Sequence, residues 1–235
     1  METVQRRKKC TEIRSVLFDM DGVLLDSAFP AFDLIRNTLQ SKGVEVSLAS
    51  LLNDYNGKHS NDIYEDLIGR YDFRQTVDEF RSEHKAINGN FYSDAYLAPM
   101  EGLAPFLEYL KSNGTSMAVV SSTSSRNVLA ALNRMSLVRY FSTIVCGDHV
   151  DWHKPAPDGY LMAVALLTSE LEHCLVVEDS KPGILAGKNA GITVVGYKGS
   201  VYRQDTSDAD VEVFSFDELS EWIKSAGLMY SFNTG

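Results

Sequence analysis

Two aspartates, Asp19 and Asp21, stand two positions apart where the apolar run Val16-Leu17-Phe18 ends, and Gly22 follows them. Like charges this close repel, so a buried strand ending in such a pair needs positive charge nearby. Three further clusters could take part in the same chemistry: the hydroxyl run Ser121–Ser125, Lys154 within HKPAPDGY, and the pair Glu178-Asp179 ahead of Ser180. Carboxylates attack electrophiles, exchange protons and ligate hard cations, while hydroxyls at a helix start hold anion oxygens. Four carboxylates crowded on one edge would call for a divalent cation with oxygen ligands, and Mg2+ is the one expected. Such a cation would in turn hold a phosphate.

The chemistry requires elements that bring these clusters together. Short Val- and Leu-rich runs, MAVVSS (117–122), STIVCGD (142–148), CLVVEDS (174–180) and ITVVGY (192–197), have the length of buried parallel strands. Between them SRNVLAALNRMS, APDGYLMAVALL and PGILAGKNAG carry helical patterns. The alternation predicts an α/β protein with a doubly wound parallel sheet, closed by a last strand and helix in DADVEVFSFDELSEWIKSAG. Residues 28–94 break the alternation: AFPAFDLIRNTLQSKG, SNDIYEDLIGRY and TVDEFRSEHKAINGNFY are helical, with no Val-rich strand. The expected division is an α/β core over 1–27 and 95–235 with an inserted helical domain over 28–94. In open α/β sheets ligands bind beyond the carboxyl ends of the strands. Singly, a DxDG turn, a Ser/Thr run, a Lys-Pro pair or an acidic pair before a serine is an ordinary turn or cap. Their placement at successive strand ends sets them apart.

Composition narrows the classes. With 32 acidic against 22 basic side chains, the formal charge of -10 argues against a general nucleic-acid binder, which needs a basic face. The three cysteines, Cys10, Cys146 and Cys174, form no CxxC or Cys/His cluster, so a zinc site is not expected and a reduced, cytoplasmic setting is. The N-terminal RRKK lacks an apolar stretch behind it, and no run reaches the length of a membrane span. The cation-held phosphate makes a small phosphorylated metabolite the expected partner, while the composition argues against nucleic acid and membrane; a monomer or weak homodimer is expected.

With these motifs in order, the chain resembles the haloacid dehalogenase superfamily. Asp19-Met20-Asp21-Gly22-Val23-Leu24-Leu25-Asp26-Ser27 matches its first motif, Ser121 the second, Lys154 in KPAPDGY the third, and Glu178-Asp179-Ser180 through Ala190-Gly191 the fourth. The resemblance implies a Rossmann-like core and a helical cap of the phosphoglucomutase-like phosphatases. It implies Asp19 as nucleophile forming an aspartyl-phosphate and Asp21 as general acid and base. Lys154 would offset charge, and Ser121 with the N–H of Ser122 would hold phosphate oxygens, with Thr123 an alternative within SSTSS. The metal ligands implied are Asp19, the backbone carbonyl of Asp21, and Asp179, with Glu178 close to the metal or its waters. Asp26 and Ser180 would brace loops. Dehalogenases and phosphonate-cleaving relatives do without the acid at Asp21, so phosphate monoesters are favoured, a sugar or polyol phosphate being the expectation.

A second reading within the superfamily is a sugar-phosphate mutase resembling β-phosphoglucomutase. Those enzymes carry a histidine about twelve residues past the nucleophile, where this chain has Ala31, preceded by Phe29 and Pro30. Where they place basic residues around a cap glycine, this chain has Asn56 and Ser60, with Lys58 and His59 displaced. A hydrolase is therefore the stronger reading, with Asn56, Lys58 and His59 as candidates to touch the substrate's organic part. A third reading, a catalytically silent phosphate binder, does not explain Asp21.

Overall fold

A computed structural model of the protein describes residues 12–55, 60–94, 97–200 and 204–226. The chain divides into two compact units, one running to Leu25 and resuming at Ala98, the other Asp26–Leu97.

The first unit is built on six parallel strands: β1 Ser15–Phe18, β2 Ser116–Val120, β3 Thr143–Val145, β4 Cys174–Glu178, β5 Thr193–Tyr197 and β6 Val211–Val213, in the order β3-β2-β1-β4-β5-β6. β1 and β4 are buried at every position, as strands sandwiched between helices must be, which is why their sequences are continuous apolar runs rather than alternating ones. Each fully buried Val or Leu contributes about 1.5–3 kcal/mol. The chain order reverses beside β1, so the crevice between the carboxyl ends of β1 and β4 is the switch point of the sheet.

The strands end earlier than their apolar runs suggest. β2 stops at Val120, β3 at Val145 and β4 at Glu178, and Gly147–His149 turns into a single 3-10 turn. Apart from Glu178, the last residue of β4, the polar residues expected to do chemistry thus lie just off the ladder, where the backbone can turn.

The second unit holds helices α1 Ala28–Ser41, α2 Leu48–Tyr55, α3 Ser60–Arg70, α4 Val77–Asn88 and the single turn α5 Phe91–Asp94. Phe32, Ile35, Leu39, Leu51, Leu52, Tyr55, Ile63, Leu67 and Phe80 are buried in it. A capping box between Thr76 and Glu79 starts α4. The first unit's remaining helices are α6 Leu103–Ser112, α7 Ser125–Arg134, α8 Asp158–Leu166, α9 Lys181–Asn189 and α10 Phe216–Ser225. Helix α6, in EGLAPFLEYLKSNG, goes beyond the sequence reading and buries Leu103, Phe106, Leu107 and Leu110. Among the described residues no helix is long and apolar enough to cross a membrane.

One polar knot lies inside the helical unit. The fully buried Thr38 sits 2.8 Å from His84 Nδ1, and Asn88 Nδ2, which donates to the carbonyls of Leu34 and His84, also faces that nitrogen at 3.2 Å. Burial lowers the His84 pKa. A histidine held below its unfolded pKa, about 6.5, leaves stability intact above that value. It costs stability as the pH falls, because the unfolded chain takes the proton first. Discounting for partial solvent screening, the wild type should lose ~1–2 °C more in Tm between pH 7 and pH 5 than His84→Gln. Parallel melting profiles of the two proteins would contradict this.

Candidate active site

The register that sets Phe18 opposite Val119 and Val177 brings Asp19 level with the ends of both neighbouring strands. Its amide donates to the Val177 carbonyl at 3.0 Å, and its carboxylate is nearly buried. The chain then coils tightly: the Met20 carbonyl accepts from the amides of Leu24 and Leu25, and the Gly22 amide donates to the Leu25 carbonyl. Gly22 has φ +86°, and a Cβ there would lie 2.0 Å from Asp179 Oδ2. Glycine is therefore required both by the turn and by the carboxylate against it. On the far side of the switch point Glu178 ends β4 and Asp179 follows it.

Lys154 joins the two sides. Its ammonium donates to Asp19 Oδ1, to Glu178 Oε1 at 2.7 Å and to the Val120 carbonyl at 2.9 Å. Glu178, fully buried, has both oxygens engaged. Oε1 accepts from Lys154 and from the Tyr160 hydroxyl at 3.0 Å, and Oε2 accepts from the amide and hydroxyl of Ser180. Ser180 in turn caps α9 by accepting from the Gly183 amide. A side chain at Gly183 would collide with the Glu178 carboxylate. Glu178 thus anchors the lysine and the helix start.

Electrostatically the cluster is short of positive charge. Burial pushes the Asp19 carboxyl up to about 8, with Lys154 opposing and Glu178 and Asp21 reinforcing. Burial followed by the charges of Glu178, Asp19 and Asp21 drives Asp179 well above the usual carboxylate range. Burial works to lower the Lys154 pKa, but Asp19 and Glu178 carry it well above its ordinary value. One oxygen from each of Asp19, Glu178 and Asp179 lies within 4.8 Å of the others. With Glu178 committed to its four donors, Asp19 and Asp179 remain as an all-oxygen, anionic pair that suits a hard divalent cation.

The hydroxyl run divides. Ser121, buried just past β2, accepts from the Thr123 amide at 3.1 Å, and Thr123 Oγ1 donates to Asp21 Oδ2 at 3.3 Å. Ser122 is exposed in the same loop. Ser125 faces away: its amide and hydroxyl donate to Asp148, which thereby braces the start of α7. Cys146, Asp148 and His149 also lie close together, but Asp148 is committed to Ser125, and His149 Nδ1 accepts from the Cys146 amide.

Asp19, Asp21, Ser121, Lys154, Glu178 and Asp179 are therefore carried on the ends of β1, β2 and β4 and on the loop before α8. Asn56, Lys58 and His59 lie outside the described residues. Asp26 has one carboxylate oxygen buried with no hydrogen-bond partner among the described residues.

Residues 16–197 match the family model of haloacid dehalogenase-like hydrolases, which spans most of the chain. The chain belongs to this family. It is 31% identical over 180 residues to a phosphorylated carbohydrates phosphatase of Thermotoga maritima, covering 77% of this chain and 82% of that one. It is 32% identical over 182 residues to a phosphoglycolate phosphatase of Aquifex aeolicus, covering 76% and 82%. The crystal structure of a HAD family hydrolase from Deinococcus radiodurans with bound phosphate and sodium superimposes with a TM-score of 0.80 at 25% identity, over 94% of this chain and 99% of that one.

In this haloacid dehalogenase-like hydrolase, sequence reasoning passed over two polar residues beside the cluster. Tyr160 was legible only as part of KPAPDGY, and its hydroxyl is spent on Glu178. Gln204, whose amide reaches Asp179 Oδ2 at 3.3 Å, carries no signal in the sequence, since it stands outside every motif.

Proposed function

We propose that the protein is a Mg2+-dependent phosphatase that hydrolyses a small phosphate monoester, a sugar or polyol phosphate, through an aspartyl-phosphate on Asp19. The observation that carries this reading is the lysine-bridged cluster at the switch point. There Asp19 and Asp179 follow adjacent strands, and Lys154 ties Asp19 to Glu178. The names of the two phosphatase relatives support the reaction class.

In this reading Asp19 attacks phosphorus and the bridging P–O bond breaks. Asp21 gives its proton to the departing alkoxide and then takes one from the water that cleaves the acyl phosphate. Thr123 holds the Asp21 carboxylate in place while Ser121, Ser122 and Lys154 meet the phosphate oxygens. Asp19, the Asp21 carbonyl and Asp179 would hold Mg2+, with Glu178 behind them. Bound there, the ion would neutralise charge on the transferring group. The helical unit corresponds to the family's cap and would select the organic part of the substrate.

Purified protein offered a panel of phosphorylated metabolites and p-nitrophenyl phosphate should release inorganic phosphate with Mg2+. It should stop on EDTA and recover when Mg2+ is restored. No release from any ester would overturn the reading. Conversion of β-glucose 1-phosphate plus its bisphosphate mainly to glucose 6-phosphate would instead establish the mutase.

A further inference from the structure

Asp179 is held from two sides. Gly22 presses its Cα against the carboxylate on one side, leaving no room for a Cβ. On the other, Gln204 Nε2 donates to Oδ2 at 3.3 Å. Gln204 belongs to the segment between β5 and β6, beyond the residues that match the family.

The residues after Gln204 are fixed independently of the site. Asp205 accepts from the amide and hydroxyl of Ser207 and pairs with Lys181 of α9 at 3.0 Å. Thr206 is buried, hydrogen-bonds Glu212, accepts from the Ala209 amide, and packs against Gly196 of β5 so closely that a Cβ on that glycine would meet it at 2.8 Å. Gln204 therefore reaches Asp179 from a rigid base that α9 and β5 secure.

We infer that Gln204 is a positioning residue for the cation site, its amide fixing the plane of the Asp179 carboxylate so that the remaining lone pairs are turned toward Asp19. A neutral donor is the suitable group for this task. It satisfies one lone pair without adding a charge that would compete with the ion or compensate for it. Groups that orient metal-ligating carboxylates this way are worth roughly 10–100-fold in metal affinity. The inference rests on the reading of Asp179 as a ligand.

The test is Mn2+ binding, read by EPR as loss of the free-ion signal, in wild type, Gln204→Met and Asp179→Asn. Methionine keeps the length and bulk of glutamine without the amide. Gln204→Met should raise the Mn2+ dissociation constant about 10-fold while its metal-free Tm stays at the wild-type value. Gln204 is only half-buried, so the fold should tolerate the change. If the Tm falls instead, titration below both melting transitions still reads the affinity. Wild-type affinity in Gln204→Met, with binding lost in Asp179→Asn, would overturn the role of Gln204 alone. Unchanged affinity in Asp179→Asn would overturn the ligand reading, and the inference with it.

Discussion

Under the proposed mechanism Asp19→Asn should abolish phosphate release, by at least about 10^3-fold, because it removes the atom that would form the covalent intermediate and leaves no alternative route of comparable rate. The fold should survive and become more tolerant of alkali. Burial, with Glu178 and Asp21 adding to it, raises Asp19 to about 8 in the folded protein, against the ordinary aspartate value of 3.8 in the unfolded chain. A carboxyl whose folded pKa is raised binds its proton more tightly when folded, so the wild type loses stability as pH rises from about 4 to about 8. Asparagine is neutral throughout that range. The Tm of Asp19→Asn minus that of wild type, both in EDTA, should therefore grow between those pH values and level off above them. Measured phosphate release within 10-fold of wild type would remove Asp19 as nucleophile. A flat Tm difference would remove the electrostatic account of its site.

What could be read beforehand followed from how strongly each residue's surroundings constrain it. The buried strands were legible because a parallel sheet covered on both faces admits only apolar residues, and β1 and β4 carry them at nearly every position. Their ends were misjudged in a consistent direction. Ser121 and Asp179 fall inside the segments expected to be strands, but the ladder has already stopped, at Val120 and at Glu178. Helix α6 escaped because the segment between residue 95 and β2 was read as the chain's return to the core, although Leu103, Phe106, Leu107 and Leu110 recur at helical steps. In the site, residues attached to a strand end could be found, since position along the chain fixes position in space. The partners that fix their orientation could not. Nothing in SSTSS shows that Ser125 would turn to Asp148 while Thr123 turns to Asp21. Glu178 looks like one more acid beside Asp179, yet four donors surround it. That difference between the two acids arises from packing against Tyr160 and Ser180, which no spacing rule encodes.

The contrast between Glu178 and Asp179 leads to the second large effect, at Lys154. Lys154→Met removes the cation that, among the described residues, Asp19 and Glu178 share, both carboxylates being almost or fully out of solvent. Breaking a buried pair by deleting one partner typically costs about 3–5 kcal/mol, because a charge is left uncompensated. The lower end applies here, since the Tyr160 hydroxyl and Ser180 still donate to Glu178 and burial already favours the protonated form of Asp19. Each kcal/mol is worth roughly 2–4 °C in a chain of this size, so the Tm should fall by about 10 °C. Phosphate release should fall by about 10^2–10^3-fold or more, the usual cost of losing one charge-stabilising donor. Adding Glu178→Gln to Lys154→Met should recover most of the lost Tm by neutralising the stranded carboxylate, while activity stays at the level of the single variant. That pattern would separate two functions of one side chain: toward Glu178 the lysine would keep the core folded, and toward Asp19 and the phosphate it would lower the barrier. A double variant that regained activity together with Tm would mean that Lys154 serves the fold alone.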